Sequence, residues 1–405
     1  MYHNETNTGE EKRKVNGKDI GAIKREKFRL KQLKRMQAER EGTDNDETEL
    51  TCFLREHSDF TRYLSLESAI SISPKLNELH TKEFQINDAP SRKRRRPDEV
   101  SDVNSDNISH ELIDLLRPYY NLKDIRTEGK DQDYFIAEGS ETVRVLLEQS
   151  SNDTTSNGNI RVQIRSIFTK PSPFFEEPVK LKKTLETCFP SFQNIPFPLI
   201  VGQEKAISEI IGFHLARGAL ACGVIPRYDE SWLQTLLMSK VEQQEPIRIL
   251  ALDQICDTAN LGSLLRSSAA FGITAVILSD NSCNVWSRRC VRVSMGHCIN
   301  VPSIRVSNLS KSIQNLNAQF QVTSYAAVID KDADMVLDKI KQGEISKNWC
   351  LVLGNEGNGI SQTVVESCNH RIRIAMSDSV DSLSVGVAAG ILLHSLRERE
   401  MSFYS

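Results

Sequence analysis

Three short segments in the C-terminal part of the chain carry the groups best suited to chemistry. Residues 260–272 read Asn-Leu-Gly-Ser-Leu-Leu-Arg-Ser-Ser-Ala-Ala-Phe-Gly, which sets a carboxamide, Asn260, six residues ahead of a cation, Arg266. Residues 354–359 read Gly-Asn-Glu-Gly-Asn-Gly, and residues 382–390 read Ser-Leu-Ser-Val-Gly-Val-Ala-Ala-Gly. The last two follow apolar, strand-like runs at residues 349–353 and 373–376. Turns at strand exits expose backbone amides with no Cβ in the way, so they can approach a small ligand and bond its polar edges. Two such turns facing one crevice would form a cofactor pocket. Taken alone, Asn260 reads as a helix N-cap, and Arg266 as a surface arginine less than two turns further on, with both side chains able to lean toward the helix start. The small residues at 382–390 alone read equally well as close helix packing.

These segments need a scaffold that brings strand exits together. Beyond the polar, acidic stretch at residues 242–246, strands are expected at 247–252, 275–278, 321–325, 349–353 and 371–376. Helices are expected at 261–271 and 383–399. Repeated strand-turn-helix units of this length predict a mostly parallel sheet covered on both faces, a doubly wound α/β domain over residues 242–405. Residues 108–241 also alternate helix and strand, with strands expected near 134–137, 162–168, 198–201 and 219–226, and form a smaller α/β sandwich. Residues 1–107 are polar and lack sustained apolar periodicity, so a disordered, basic tail is expected there. The glycine spacing at 354–359 is not a dinucleotide fingerprint. That motif opens its domain and is followed about 20 residues later by an acidic ribose ligand. An oxidoreductase reading would rest on glycine turns alone.

The chain has 405 residues and a formal net charge of −3. That balance hides two basic concentrations, at residues 12–40 and 92–96, which are suited to RNA, and in the second case to a nuclear import signal. Nine scattered cysteines with no C-x-x-C pair argue for a reducing compartment and against structural zinc or another metal site. No apolar run reaches the roughly 18 to 20 residues that would cross a bilayer, and no secretory signal opens the sequence. A soluble, intracellular protein is expected, with the nucleus suggested by residues 92–96.

Read in order, the three segments resemble the signature of the SpoU (TrmH) family of RNA ribose methyltransferases in the SPOUT superfamily, over residues 247–399. The family's Asn-x-Gly-x-x-x-Arg-x-x-x-x-Phe-Gly is met by Asn260, Gly262, Arg266, Phe271 and Gly272. Its Gly-x-Glu-x-x-Gly is met by Gly354, Glu356 and Gly359. Its third motif is met by Ile374, Met376, Ser382, Leu383, Val385 and Ala388. Residues 108–230 look like the ribosomal-protein-like substrate-binding domain often fused ahead of this catalytic domain. Two positions depart from the pattern: Ser384 stands for the family's Asn, and Ala375 for its Pro.

The resemblance implies a C-terminal trefoil-knotted methyltransferase domain that binds S-adenosyl-L-methionine in its knot. Leu353, Gly354, Asn355, Gly359, Ile374, Met376, Leu383, Ser384 and Ala388 would line the cofactor site. Arg266, Asn260, Glu356 and Ser382 would serve catalysis. Arg266 would activate the ribose hydroxyl with help from the substrate's phosphate, Asn260 would position Arg266 or the ribose, and Glu356 would anchor one of the loops. A guanidinium stays protonated, so stabilising the developing alkoxide suits Arg266 better than acting as a base. The implied partners are RNA, either tRNA or rRNA, and a second copy of the chain packed on the last helix. Ser384 motivates an alternative, a catalytically silent RNA-binding paralogue. Aromatic residues at 6% disfavour a dedicated base-stacking platform.

Overall fold

The computed structural model describes residues 61–64, 69, 72–73, 75–76, 110–123, 133–151, 162–171, 181–189, 195–215, 218–377, 379 and 382–400. The basic segments at 12–40 and 92–96, with the expected import signal, lie outside the described residues.

The first layer is a five-stranded sheet built from β1 (Thr61–Leu64), β2 (Tyr134–Glu138), β3 (Ile164–Thr169), β4 (Leu199–Gly202) and β5 (Ala219–Val224), in the order β1-β4-β3-β5-β2. β1, β4 and β3 run parallel, and β5 is antiparallel to both β3 and β2. Helices α1 (His110–Leu116), α2 (Ser140–Ser151), α3 (Leu181–Cys188) and α4 (Glu204–Ile211) accompany it. α2 buries Val143, Leu146, Leu147 and Ser150, the three-and-four spacing that places side chains on one helical face. Leu64, Ile72, Leu116, Phe168 and Ile207 meet in one apolar core. Two of these precede residue 108, so the expectation of disorder through residue 107 is corrected here. β1 pairs with β4, and Leu64, Ala69, Ile72 and Leu76 are buried.

The second layer is a seven-stranded sheet in which every pairing is parallel. It contains β6 (Arg248–Leu252), β7 (Ala275–Ser279), β8 (Ser303–Val306), β9 (Thr323–Ala327), β10 (Met335–Val336), β11 (Trp349–Leu353) and β12 (His370–Arg373). Their order is β10-β12-β9-β11-β6-β7-β8. From β6 the chain winds outward through β7 to β8, then crosses to the far side of β11. The β6/β11 boundary is therefore a topological switch point, the place where open α/β sheets hold ligands beyond the carboxyl ends of their strands. β11 is buried along its whole length, as a central parallel strand must be.

Helices α5 (Glu230–Glu242), α6 (Thr258–Ala270), α7 (Arg288–Val293), α8 (Leu309–Phe320), α9 (Gln362–Val365) and α10 (Val385–Arg399) complete this part. α5 precedes the boundary expected at residue 242, yet Leu233 and Leu237 pack with Ile247, Ile249 and Ile304 in the core of the second sheet. The two sheets communicate through the α7 segment. The Glu138 carboxylate lies 3.0 Å from Arg292 and 3.6 Å from Arg288, and the rings of Phe135 and Trp286 lie 4.8 Å apart. None of the described helices is long and apolar enough to cross a membrane.

Candidate active site

The site assembles around α6. Its N-cap is Asp257, whose carboxylate accepts from the backbone N–H groups of Ala259 and Asn260 at 2.5 and 3.4 Å. This corrects the N-cap expectation for Asn260. Because capping is done three residues earlier, the Asn260 carboxamide is left to donate to Glu356 Oε1, which joins the first motif to the second. Arg266 is exposed and lies about 120° around the helix and about 9 Å along its axis from Asn260. The two side chains therefore do not lean together toward the helix start. Among the described residues Arg266 makes no hydrogen bond or ion pair, and it lines a cavity of about 590 Å³ with His297.

The third motif meets the helix between these two positions. Ser263 lies one ridge step from both Asn260 and Arg266. A Cβ built on Gly386 of α10 would stand 3.1 Å from Ser263 Oγ. Gly262 allows similar closeness on another face, since a Cβ there would meet the Cys290 carbonyl at 2.8 Å.

The glycine loop after β11 folds onto itself. Asn355 N–H donates to the Gly359 carbonyl at 3.0 Å, and Gly359 N–H returns the bond to Asn355 at 2.9 Å. Asn355 Oδ1 also accepts from Gly357 N–H at 2.8 Å, while its Nδ2 donates to the Gln254 carbonyl at 2.9 Å. Gly354 is required by this closure, because a Cβ would stand 2.2 Å from the Gly359 carbonyl carbon. Asp253, 3% exposed, fixes the far end of the loop by accepting from Ser361 N–H at 2.8 Å and Ser361 Oγ at 2.7 Å. Asp253 and Ser361 went unread in the sequence because their partnership spans 108 positions. The only local sign was an acidic residue directly after a strand.

The turn after β12 is built differently. Ile374, Met376 and Leu383 are half-buried, Leu353 is buried, and Ser382 is exposed. Among the described residues the backbone at 374–376 makes no hydrogen bond. Ser384 is the N-cap of α10 without a side-chain cap bond, and its carbonyl accepts from Ala388 N–H at 3.0 Å. Unpaired backbone groups beside apolar side chains suit a flat heterocycle with polar edges, so these residues fit the adenosyl group that the resemblance implies.

A family model described as the SpoU rRNA Methylase family matches residues 248–394. A Coxiella burnetii protein named 23S rRNA (guanosine-2'-O-)-methyltransferase RlmB is 34% identical over 180 residues, covering 44% of this chain and 68% of the relative. The chain belongs to the SpoU rRNA methylase family. A protein of Mycobacterium sp. (strain KMS), named an uncharacterized tRNA/rRNA methyltransferase, is 31% identical over 180 residues, and the matched region spans 55% of that relative and 44% of this chain. The fold is shared with an AdoMet-bound rRNA methyltransferase from Sinorhizobium meliloti, with a TM-score of 0.54 at 20% identity over 71% of this chain and 95% of that one. All three motif segments fall within the stretch matched by the SpoU model.

Proposed function

We propose that this SpoU-family chain transfers a methyl group from S-adenosyl-L-methionine to a ribose 2′-hydroxyl of RNA, with rRNA or tRNA as the substrate class. The observation that carries the reading is the meeting of three distant segments on one helix: Asn260 with Glu356, Ser263 with Gly386, and Arg266 on the next ridge step without a protein partner. The names of the relatives support the same activity. Leu353, Gly354, Asn355, Gly359, Ile374, Met376, Leu383, Ser384 and Ala388 would hold the cofactor, which supplies an electrophilic methyl on its sulfonium. A ribose hydroxyl is a poor nucleophile until negative charge can develop on its oxygen. Arg266 has the chemistry to stabilise that charge, being cationic, exposed and not neutralised by a carboxylate. Asn260 and Glu356 tie the two catalytic segments together. Ser382 is exposed at the mouth of the third motif, where it can meet the substrate. The homodimer and the knotted path of the C-terminal segment are parts of this proposal drawn from the family resemblance, and nuclear import is a part drawn from the basic cluster at residues 92–96.

The test compares the wild type with Arg266→Ala. Methyl incorporation into unmodified rRNA and tRNA is expected to fall at least about 100-fold, the scale of losing one preorganised charge-stabilising group. Binding of S-adenosyl-L-methionine by calorimetry is expected to be unchanged. Transfer that survives the substitution would remove Arg266 from the chemistry. The alternative, a silent RNA-binding paralogue, is motivated by Ser384, whose hydroxyl replaces the family's carboxamide. It predicts RNA binding with no heat from S-adenosyl-L-methionine.

A further inference from the structure

The strand exits beside the site carry two thiols that none of the three motifs uses. Cys256 lies in the turn between β6 and α6, directly ahead of the capping Asp257, and Cys283 lies in the turn between β7 and α7. Both are free, and of the described cysteines Cys256 alone is exposed. Three hydrogen bonds lace the two turns together: Gln254 N–H to Ser279 Oγ at 2.8 Å, Ile255 N–H to Ser282 Oγ at 3.3 Å, and Cys283 N–H to the Ile255 carbonyl at 2.7 Å. That carbonyl belongs to the peptide unit leading into Cys256. With standard bond lengths the last contact keeps the Cα atoms of Cys256 and Cys283 within about 7 Å, inside the reach of a disulfide.

The two turns are held unequally. Arg305 of β8 grips the Cys283 turn through the carbonyls of Ser279, Asp280, Ser282 and Cys283 at 2.8–3.0 Å. The Cys256 turn is strained instead, because Gln254 has φ +56°, a left-handed conformation that a residue with a Cβ keeps only where its surroundings fix it. The Gln254 carbonyl accepts from Cys256 Sγ–H at 3.2 Å and from Asn355 Nδ2 at 2.9 Å. The second bond anchors the glycine loop, so thiol and loop share one acceptor. Burial pushes the Cys283 thiol up to about 11, with Cys256 adding to the rise and Arg305 opposing it. The exposed Cys256 is therefore the sulfur that meets an oxidant first.

We propose that Cys256 and Cys283 are a peroxide-oxidisable pair, and that closing their disulfide loosens the glycine loop and weakens binding of the methyl donor. The Cys256 thiolate attacks one peroxide oxygen; an S–O bond forms as the O–O bond breaks, leaving a sulfenic acid and, with a proton, a first water. The Cys283 sulfur then attacks the Cys256 sulfur. The S–S bond forms, the S–O bond breaks, and the departing hydroxide takes the Cys283 proton as a second water. The two thiols have given two electrons to the peroxide, and a dithiol reductant restores them. In a reducing compartment such a bridge is transient and sensing rather than structural. Once bridged, Cys256 has no hydrogen to donate, so the Gln254 carbonyl loses one of its two bonds and the strained turn relaxes with Asn355 attached to it. The consequence for the cofactor rests on the methyltransferase reading above; the bridge and the loosened loop do not.

The test treats the full chain with hydrogen peroxide and maps its peptides without reduction. A cross-link between Cys256 and Cys283 is expected, and dithiothreitol should remove it. Amide hydrogen exchange at residues 355–359 should be faster in the bridged chain. Calorimetry should show S-adenosyl-L-methionine binding at least about fivefold more weakly, the scale of one lost hydrogen bond. Cys256→Ser keeps a donor for the Gln254 carbonyl and cannot be bridged, so its exchange and affinity are expected to match the reduced wild type with or without peroxide. Cys283→Ser is expected to carry no cross-link at Cys256. Peroxide that links Cys256 to another cysteine or to none would overturn the inference. So would a bridged chain that exchanges at 355–359, or binds the cofactor, as the reduced chain does. A reduced chain that binds no cofactor sinks the methyltransferase reading instead, and the cross-link and the exchange then decide this inference by themselves.

Discussion

Gly354 shows how a single backbone position can decide whether the site exists. The loop from Asn355 to Gly359 closes by two backbone hydrogen bonds, and the volume a Cβ would fill is already taken by the Gly359 carbonyl at 2.2 and 2.3 Å. Nothing flexible can yield there, since the opposing atoms are backbone. Gly354→Ala is expected to force the loop open, costing about 1–3 kcal/mol, as overpacking does. The consequence for function should be larger than for stability. The loop can move away while β11 stays in the sheet, so far-UV circular dichroism is expected to be retained and S-adenosyl-L-methionine binding by calorimetry to vanish. Binding at wild-type affinity in a folded Gly354→Ala would show that this loop does not form the cofactor site. Ser384 invites the opposite reading. Its side chain makes no cap bond to α10, so its hydroxyl contributes little to the helix and remains available for a ligand.

At the scale of elements, the contact of α6 with α7 depends on Gly262. A methyl group at this position would stand 2.8 Å from the Cys290 carbonyl and 2.9 Å from Val293 Cβ. Alanine is favoured over glycine in a helix by about 1 kcal/mol, so propensity alone predicts that Gly262→Ala is stabilising. The overlap is with α7 backbone and a β-branched side chain and should outweigh that gain, leaving a net loss of about 1–2 kcal/mol in urea denaturation. A variant more stable than the wild type would mean that the two helices can part at no cost. The same scale explains what could be read beforehand. β6, β7 and β11 were legible because central parallel strands are continuous apolar runs, and the motifs were legible because each is local. β10 has two residues, too short for a periodic signal, and β1 and β8, four residues each, read Thr-Arg-Tyr-Leu and Ser-Ile-Arg-Val, where an arginine breaks the apolar run. α5 escaped notice because only Leu233, Leu236 and Leu237 of its thirteen residues are buried. The tie of Asp253 to Ser361 exists only after folding, so no local pattern announced it.

For the whole molecule, the question is what covers α10. One face of this helix packs on α6, burying Ala389, Leu392, Leu393 and Leu396, with His394 meeting Phe271 at a ring separation of 6.0 Å. Val387 and Ile391 remain 52% and 37% exposed, one turn apart on a common ridge. Two exposed apolar residues do not by themselves require a partner. Their position matters more, because Val387 directly follows Gly386, where the third motif meets α6, and Ile391 lies one turn beyond it. If a second copy covers them, as in the homodimer proposed above, the twofold axis would bring the two sites close together, and any charge placed near it would face its own image. The double variant Val387→Glu and Ile391→Glu is therefore expected to shift the mass measured by light scattering from dimer to monomer. Each buried side chain of this size contributes roughly 1.5–3 kcal/mol, so the loss per dimer should be more than a modest interface can absorb. Methyl transfer should fall with the dimer, while the melting temperature of the monomer stays within a few degrees of the wild type. A wild type that is monomeric at micromolar concentration, or a double variant that stays dimeric, would move the interface off this helix.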